Sequence, residues 1–197
     1  MSDPTLPGPR SKRATRQTLR AIRDSLTREE RATAAAAIAR STNALIATRL
    51  QAGDVLAVYA AKGTEVDTTA IAEDAIRRGI TLTYPRVVAG DRTLVFHAVT
   101  AAELAPGQFG LKEPHEDAPV IALDQITAFV IPGLAFDREG GRTGWGMGHY
   151  DATLALAPSP LRIGLAFECQ VIDRVPRDAH DIPMSHVITE VATYTVA

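Results

Sequence analysis

Apolar residues recur at spacings of three and four early in the chain. They then give way to short apolar runs punctuated by glycine and proline. Leu19, Ile22 and Leu26 predict an amphipathic helix over Lys12–Leu26. Thr27-Arg28-Glu29-Glu30 is a capping-box signature and opens a second, alanine-rich helix to about Leu50, with Ile38, Leu45 and Ile46 facing the core. Gly53-Asp54 turns the chain into a buried strand, Val55–Tyr59. Asp67 is placed to cap a helix over Thr68–Arg78 that stops at Gly79, and Ile80–Tyr84 is the next strand, ended by Pro85-Arg86. A strand–helix–strand unit of this kind implies a parallel sheet.

Further on, Leu94–Val99 alternates and is expected to pair with Ile80–Tyr84 or a neighbour. Ala101–Pro119 reads as irregular, and Ile126–Ile131 as the central strand. A helix over Asp151–Ala157 ends before Pro158, Leu161–Phe167 is another strand, and His186–Glu190 and Thr193–Val196 are short final strands. No internal repeat and no second domain are visible. Met1–Ser11, with three prolines and a glycine, is expected to be a disordered tail, and 12–197 a single α/β domain.

Composition narrows the class. A 46% hydrophobic fraction in 197 residues is enough for a substantial core. A formal charge of -2 and a pI near 6.2 give no global basic field, so nucleic acid is not expected as a partner. The single cysteine, Cys169, excludes an internal disulfide, and its apolar surroundings mark it as a small core residue rather than a nucleophile. No apolar run reaches membrane-spanning length and no signal peptide is visible, so a cytoplasmic location without membrane partners is expected.

The chemistry concentrates in Ile131–Asp151, where five of the 14 glycines fall between positions 140 and 148. Glycine at that density means a backbone that bends sharply or lies close to something. A glycine loop opening onto a helix suits a phosphate, and Arg138 and Arg142 add positive charge. No Gly-Lys-Ser/Thr occurs, and His149 stands where a dinucleotide fingerprint needs its last glycine, so both common nucleotide motifs are excluded. The loops after Val55–Tyr59, after Ile80–Tyr84 and after Ile131 all leave carboxyl ends of parallel strands, where open sheets bind ligands. Lys12, Arg13, Arg16, Arg20 and Arg23 cluster on the first helix. Arg13, Arg20 and Arg23 are expected to face solvent.

These stretches, read in order, resemble the 5-formyltetrahydrofolate cyclo-ligases. Lys12-Arg13-Ala14-Thr15-Arg16 is similar to the family's opening K-x-x-L-R, with Thr15 in place of leucine. Tyr59 with Glu65-Val66-Asp67-Thr68, Pro85-Arg86, and Gly110 with Glu113-Pro114 follow. The core of the resemblance is Pro132–Asp137, Gly141-Arg142 and Gly144-x-Gly146-x-Gly148-x-Tyr150-Asp151, and Phe167-Glu168-x-Gln170, Val175-Pro176 and His180-Asp181 close it.

The resemblance implies a three-layer α/β/α sandwich with a mostly parallel central sheet, similar to sugar-phosphate isomerase and CoA-transferase domains. It implies ATP- and Mg²⁺-dependent cyclisation of 5-formyltetrahydrofolate, in a monomer or homodimer with small-molecule partners only. Carried over residue by residue, Lys12, Arg13, Arg16 and Arg142–Tyr150 (Thr143, Gly144, Trp145, Gly146, Met147, Gly148 and His149 between them) would bind ATP. Arg142 and Tyr150 would be catalytic. Ala60, Glu65 and Trp145–His149 would bind folate, and Asp151 and Asp181 would hold Mg²⁺. Met147 departs from the pattern, because many members carry lysine there. Lys12, Arg16, Arg142 or Lys62 would then have to supply the missing charge. A non-catalytic folate or nucleotide binder is the alternative, and a sugar-phosphate isomerase or CoA-transferase relative a third.

Overall fold

The computed structural model describes residues 11–157 and 160–196. Residues 1–10 of the expected tail lie outside these. Ser11, its last member, is the N-cap of the first helix, where its hydroxyl accepts from Ala14 N–H. Helix α1 spans Lys12–Ser25 and α2 spans Arg28–Arg49. The capping box forms as the sequence predicts: Thr27 Oγ1 accepts from Glu30 N–H, and Glu30 accepts from Thr27 N–H at 2.7 Å. Ile38, Ala39, Thr42 and Ile46 form the buried stripe of α2, with Leu45 half-buried beside it.

The central sheet has eight strands: β1 Val55–Ala57, β2 Thr81–Val87, β3 Leu94–Ala98, β4 Val120–Ile121, β5 Ala128–Ile131, β6 Leu161–Leu165, β7 His186–Ile188 and β8 Thr193–Thr195. Their spatial order is β8-β7-β6-β5-β1-β2-β3-β4. From β7 through β2 every pairing is parallel, and the three outer pairings are antiparallel. Helix α3 (Thr69–Arg77) makes the crossover from β1 to β2 and gives way at Gly79, whose φ is +73°. The cap differs by one residue from expectation. Thr68 is the N-cap, and the Asp67 carboxylate accepts from Thr69 N–H at 2.9 Å.

Alternation along the strands divides the core. Leu56, Ala128 and Val130 face α2 and α3, while Ala57, Phe129 and Ile131 face the opposite side. That side is covered by the short α4 (His149–Leu154), by Phe136 and by Met184, so the third layer is thinner than the first. Cys169 is half-buried against the α2/α3 side, and burial raises its thiol pKa.

Strand β2 runs past Pro85, where the sequence alone suggests an end. Strand β1 has already stopped at Ala57, opposite Thr83, so residues beyond Tyr84 pair only with β3. Val87, two positions on, sends its N–H away from β3 to Glu113 Oε1 at 3.1 Å. Pro85 has the same orientation, so its missing N–H faces a side with no strand to serve. The segment 101–119 is largely irregular as expected, with one small hairpin pairing Ala105–Pro106 with Lys112–Glu113.

Candidate active site

A cleft of about 410 Å³ opens beyond the carboxyl ends of β1, β2 and β5. Its walls are set by how the glycine-rich segment folds. Arg142–Thr143 pairs antiparallel with Ala135–Phe136, and Asp137–Gly141 makes the turn between them. The Asp137 carboxylate is fully buried and accepts from Gly141 N–H at 2.7 Å, Glu139 N–H, Val175 N–H and Arg177. A Cβ on Gly141 would lie 2.3 Å from Asp137 Oδ2, and one on Gly140 2.4 Å from the Met184 carbonyl. The first two glycines of the loop therefore serve a rigid turn. The backbone that lines the cleft is Gly144 to Gly148, where Gly146 and Gly148 have φ of +105° and +72°.

Lys12 and Arg16 enter the cleft from α1. Arg16 Nε donates to the Gly144 carbonyl at 2.9 Å, which fastens the helix to the loop. Arg13, grouped with them on the sequence, is exposed and does not line the cleft. One helical turn is too short for Lys12, Arg13 and Arg16 to share a face: the first and last do, and Arg13 points away. Lys12 Nζ donates to Asp178 Oδ2 at 2.8 Å and to Asp181 Oδ2. Partial burial works against this ammonium, but the two carboxylates outweigh it and raise its pKa. Lys12 in turn holds the Asp178 carboxyl below the usual range.

Arg142 and Asp151 form an ion pair at 3.0 Å, with side-chain exposures of 5% and 18%. Asp151 Oδ1 accepts from Ile182 N–H at 3.3 Å, which brings it next to Asp181 in the fold. Arg142 Nε is buried without a hydrogen-bond partner among the described residues. Its guanidinium carbon lies 5.6 Å from the centre of the Tyr150 ring. Burial pushes the Tyr150 phenol far above its ordinary pKa, although Arg142 opposes the shift, so the hydroxyl is a donor and not a base near neutral pH.

On the far wall, Ala60 and Glu65 follow β1. Glu65 Oε2 accepts from Lys62 N–H at 2.9 Å, and Oε1 accepts from Trp145 Nε1–H at 3.0 Å. The Trp145 ring also lies under the guanidiniums of Arg20 and Arg23, 5.2 and 5.8 Å from its centre. Arg23 was expected in solvent but is only 2% exposed. Its Nε donates to Thr64 Oγ1 at 3.0 Å and its NH1 to the Gly133 carbonyl. Thr15, Leu19 and Arg23 are all buried and four apart, so Arg23 continues the docked row of α1.

With Arg13 set aside, and Arg138, whose guanidinium lies over the Tyr194 ring instead, every residue singled out above as a contact for ATP, folate or metal lines this one cleft. Arg92, Lys112 and Asp178, to which the sequence assigns no role, also line it. Asp178 sits three positions before Asp181 in the proline-bounded loop already marked, so its signal was present. Arg92 and Lys112 lie in turns with no pattern of their own.

The sequence profile of the 5-formyltetrahydrofolate cyclo-ligase family matches residues 9–190. The chain belongs to this family. A 5-formyltetrahydrofolate cyclo-ligase of Mycolicibacterium smegmatis is 28% identical over 144 residues, which cover 70% of this chain and 74% of that protein. The one of Escherichia coli K12 is 29% identical over 141 residues, 68% of this chain and 76% of the relative. The NMR structure of Aquifex aeolicus 5,10-methenyltetrahydrofolate synthetase superposes with a TM-score of 0.80 at 28% identity, covering 94% of this chain and 92% of that one. The mixed α/β fold with its central sheet is thus a cyclo-ligase fold. Among the described residues, no helix is long and apolar enough to cross a membrane.

Proposed function

We propose that this chain cyclises 5-formyltetrahydrofolate to 5,10-methenyltetrahydrofolate, consuming ATP and releasing ADP and phosphate. The observation that carries the reading is one cleft with a cationic half and a hydrogen-bonding half. Lys12, Arg16 and Arg142 surround the Gly144–Gly148 backbone, and Ala60 and Glu65 stand across from it.

The oxygen of an N-formyl group is a poor leaving group. The γ-phosphoryl group of ATP is transferred to that oxygen and ADP leaves. N10 then attacks the activated formyl carbon. The C–O bond breaks, phosphate departs with the oxygen, and N10 gives up its proton. Catalysis of such a transfer is mainly positioning and charge neutralisation. Arg142, preoriented by Asp151, and the protonated Tyr150 hydroxyl supply fixed donors near the transferring group. Arg16 and Lys12 neutralise the phosphate tail. Glu65 keeps lone pairs beyond its two present bonds and accepts from N–H groups of the pterin. Trp145 and His149 offer flat rings for stacking.

Mg²⁺ fits the donor chemistry at the acidic end. Asp151 and Asp181 present carboxylate oxygens, and Asp178, His180 and Asp181 bring ligand atoms within 4.8 Å of one another. One or two carboxylates with nucleotide phosphates is this ion's usual setting. Bound there, it would neutralise charge on the phosphate oxygens. Lys12 currently occupies Asp181, so cation binding requires that ammonium to turn toward the nucleotide.

The test is a near-ultraviolet assay of methenyltetrahydrofolate formation from 5-formyltetrahydrofolate, ATP and Mg²⁺, run beside Asp151→Asn. Product that requires ATP, with a rate on the order of a hundredfold lower in the variant, supports the reading. Well-folded protein that binds 5-formyltetrahydrofolate and makes no product overturns it in favour of a binding role.

A further inference from the structure

The segment Gly146-Met147-Gly148 lies open in the cleft, with Met147 55% exposed and uncharged. Two guanidiniums flank it. Arg16 packs against Gly146, its guanidinium carbon 3.1 Å from the point a Cβ there would occupy. Arg92 packs against Gly148 in the same way, its NH2 3.0 Å from the corresponding point. Arg92 comes from the turn between β2 and β3, far from the loop in sequence. The turn is docked by the His149 ring, whose Nδ1 bonds the Arg92 carbonyl at 2.9 Å.

Pairing of the surrounding cations leaves Arg92 and Lys112 without partners among the described residues, and Arg92 is the one packed against Gly148. Lys12 is paired with Asp178 and Asp181, and Arg142 with Asp151. Arg16 Nε is committed to the Gly144 carbonyl, and Lys62 Nζ to that of Phe109. The Arg92 guanidinium has neither an ion pair nor a side-chain hydrogen bond among the described residues, yet it lines the cleft. An unpaired cation held against glycine backbone by a docked turn is arranged for an anion carried over that backbone.

We propose that Arg92 is a phosphate-contacting residue that, with Arg16, supplies from the flanks the positive charge that position 147 of the loop does not. The anion is the triphosphate of the nucleotide. The inference rests on the reading of Gly144–Gly148 as the nucleotide site.

The experiment is calorimetric binding of ATP with Mg²⁺, and separately of inorganic tripolyphosphate, to the full chain, to Arg92→Met, and to Arg92→Met combined with Met147→Lys. Arg92 is exposed and unpaired, so the variants are expected to fold, and melting curves check that. Arg92→Met should weaken both ligands on the order of tenfold to a hundredfold, while 5-formyltetrahydrofolate binding stays unchanged. Met147→Lys in that background should restore most of the loss, which a merely structural role for Arg92 would not allow. Binding by Arg92→Met within about twofold of the parent overturns the proposal. So does a loss that Met147→Lys leaves unrescued, or a parent that binds neither phosphate ligand. A parent that binds both ligands but forms no methenyltetrahydrofolate leaves Arg92 in its role and removes only the proposed reaction.

Discussion

The indole N–H of Trp145 donates to Oε1 of Glu65 at 3.0 Å, across 80 positions of sequence. The bond ties the loop after β1 to the glycine segment, so the two walls of the cleft are in register before any ligand arrives. Trp145 is the only tryptophan in the chain, which makes its fluorescence a reporter of this contact. Glu65→Ala should shift the emission to longer wavelength without ligand, as the ring loses its partner and gains water. In the parent, 5-formyltetrahydrofolate should change the emission, and in Glu65→Ala the same titration should need on the order of tenfold more ligand. An unchanged spectrum in the variant would mean that Arg20 and Arg23 alone fix the ring.

Asp137 is a structural carboxylate. It is fully buried, and its loss would orphan three backbone N–H groups and the Arg177 contact. Asp137→Ala should cost roughly 3 to 5 kcal/mol, by the rule for breaking a buried charged network. Urea unfolding of parent and variant measures it. A loss below about 1 kcal/mol would show that the Asp137–Gly141 turn stands without this carboxylate.

Gly140→Ala combines a strained backbone with a clash. The φ of +80° disfavours any side chain, and the new Cβ would sit 2.4 Å from the Met184 carbonyl, a backbone atom that cannot swing away. The expected destabilisation is about 3 kcal/mol or more. Gly53→Ala is the control. Its φ is +93° and nothing lies within 4 Å of its Cβ, so only the backbone term, about 1 kcal/mol, should appear. Equal losses at the two sites in thermal melts would contradict this account.

The Lys12–Asp178 pair predicts a pH dependence with a definite sign. The hydrogen bond from Lys12 is the main cause of the lowered Asp178 pKa. A carboxyl whose folded pKa is depressed contributes stability that is present above its unfolded value, about 3.9, and is lost as pH falls through the folded value. The loss therefore belongs to the acid side of pH 4, not to neutral pH. Carboxyl NMR should give Asp178 a midpoint below that of an ordinary aspartate, and Lys12→Ala should return it to the ordinary range. An unshifted midpoint in the parent would show that the ammonium does not stay between the two carboxylates in solution.

The spacing of apolar residues made α1, α2 and the β1–α3–β2 unit legible, because each is decided by local burial and capping. The cleft was legible because its motifs fall just after strands that the topology brings side by side. What escaped the sequence was decided by contacts between distant segments. Pro85 looks like a strand end until β1 is seen to stop before it. Arg23 looks like one more solvated cation, although its spacing of four from Leu19 was a sign that it belongs to the docked row. Arg92 meets Gly148 only because the β2–β3 turn folds over the loop, and nothing in Gly-Asp-Arg-Thr announces that.

The partners of α1 all come later in the chain: Thr64, Gly133, Ala135, Gly144, Val175 and finally Asp178 and Asp181. Lys12 is 169 positions ahead of Asp181. At ordinary rates of synthesis, α1 waits on the order of ten to thirty seconds for its last anchor. Until then its Leu19 row is only partly covered, and the cleft is incomplete in any nascent fragment that stops short of Asp178 and Asp181. The cleft is complete only when segments 169 positions apart meet, so a chain truncated before residue 178 has the central-sheet strands β1 to β6 but lacks the acidic wall of the cleft.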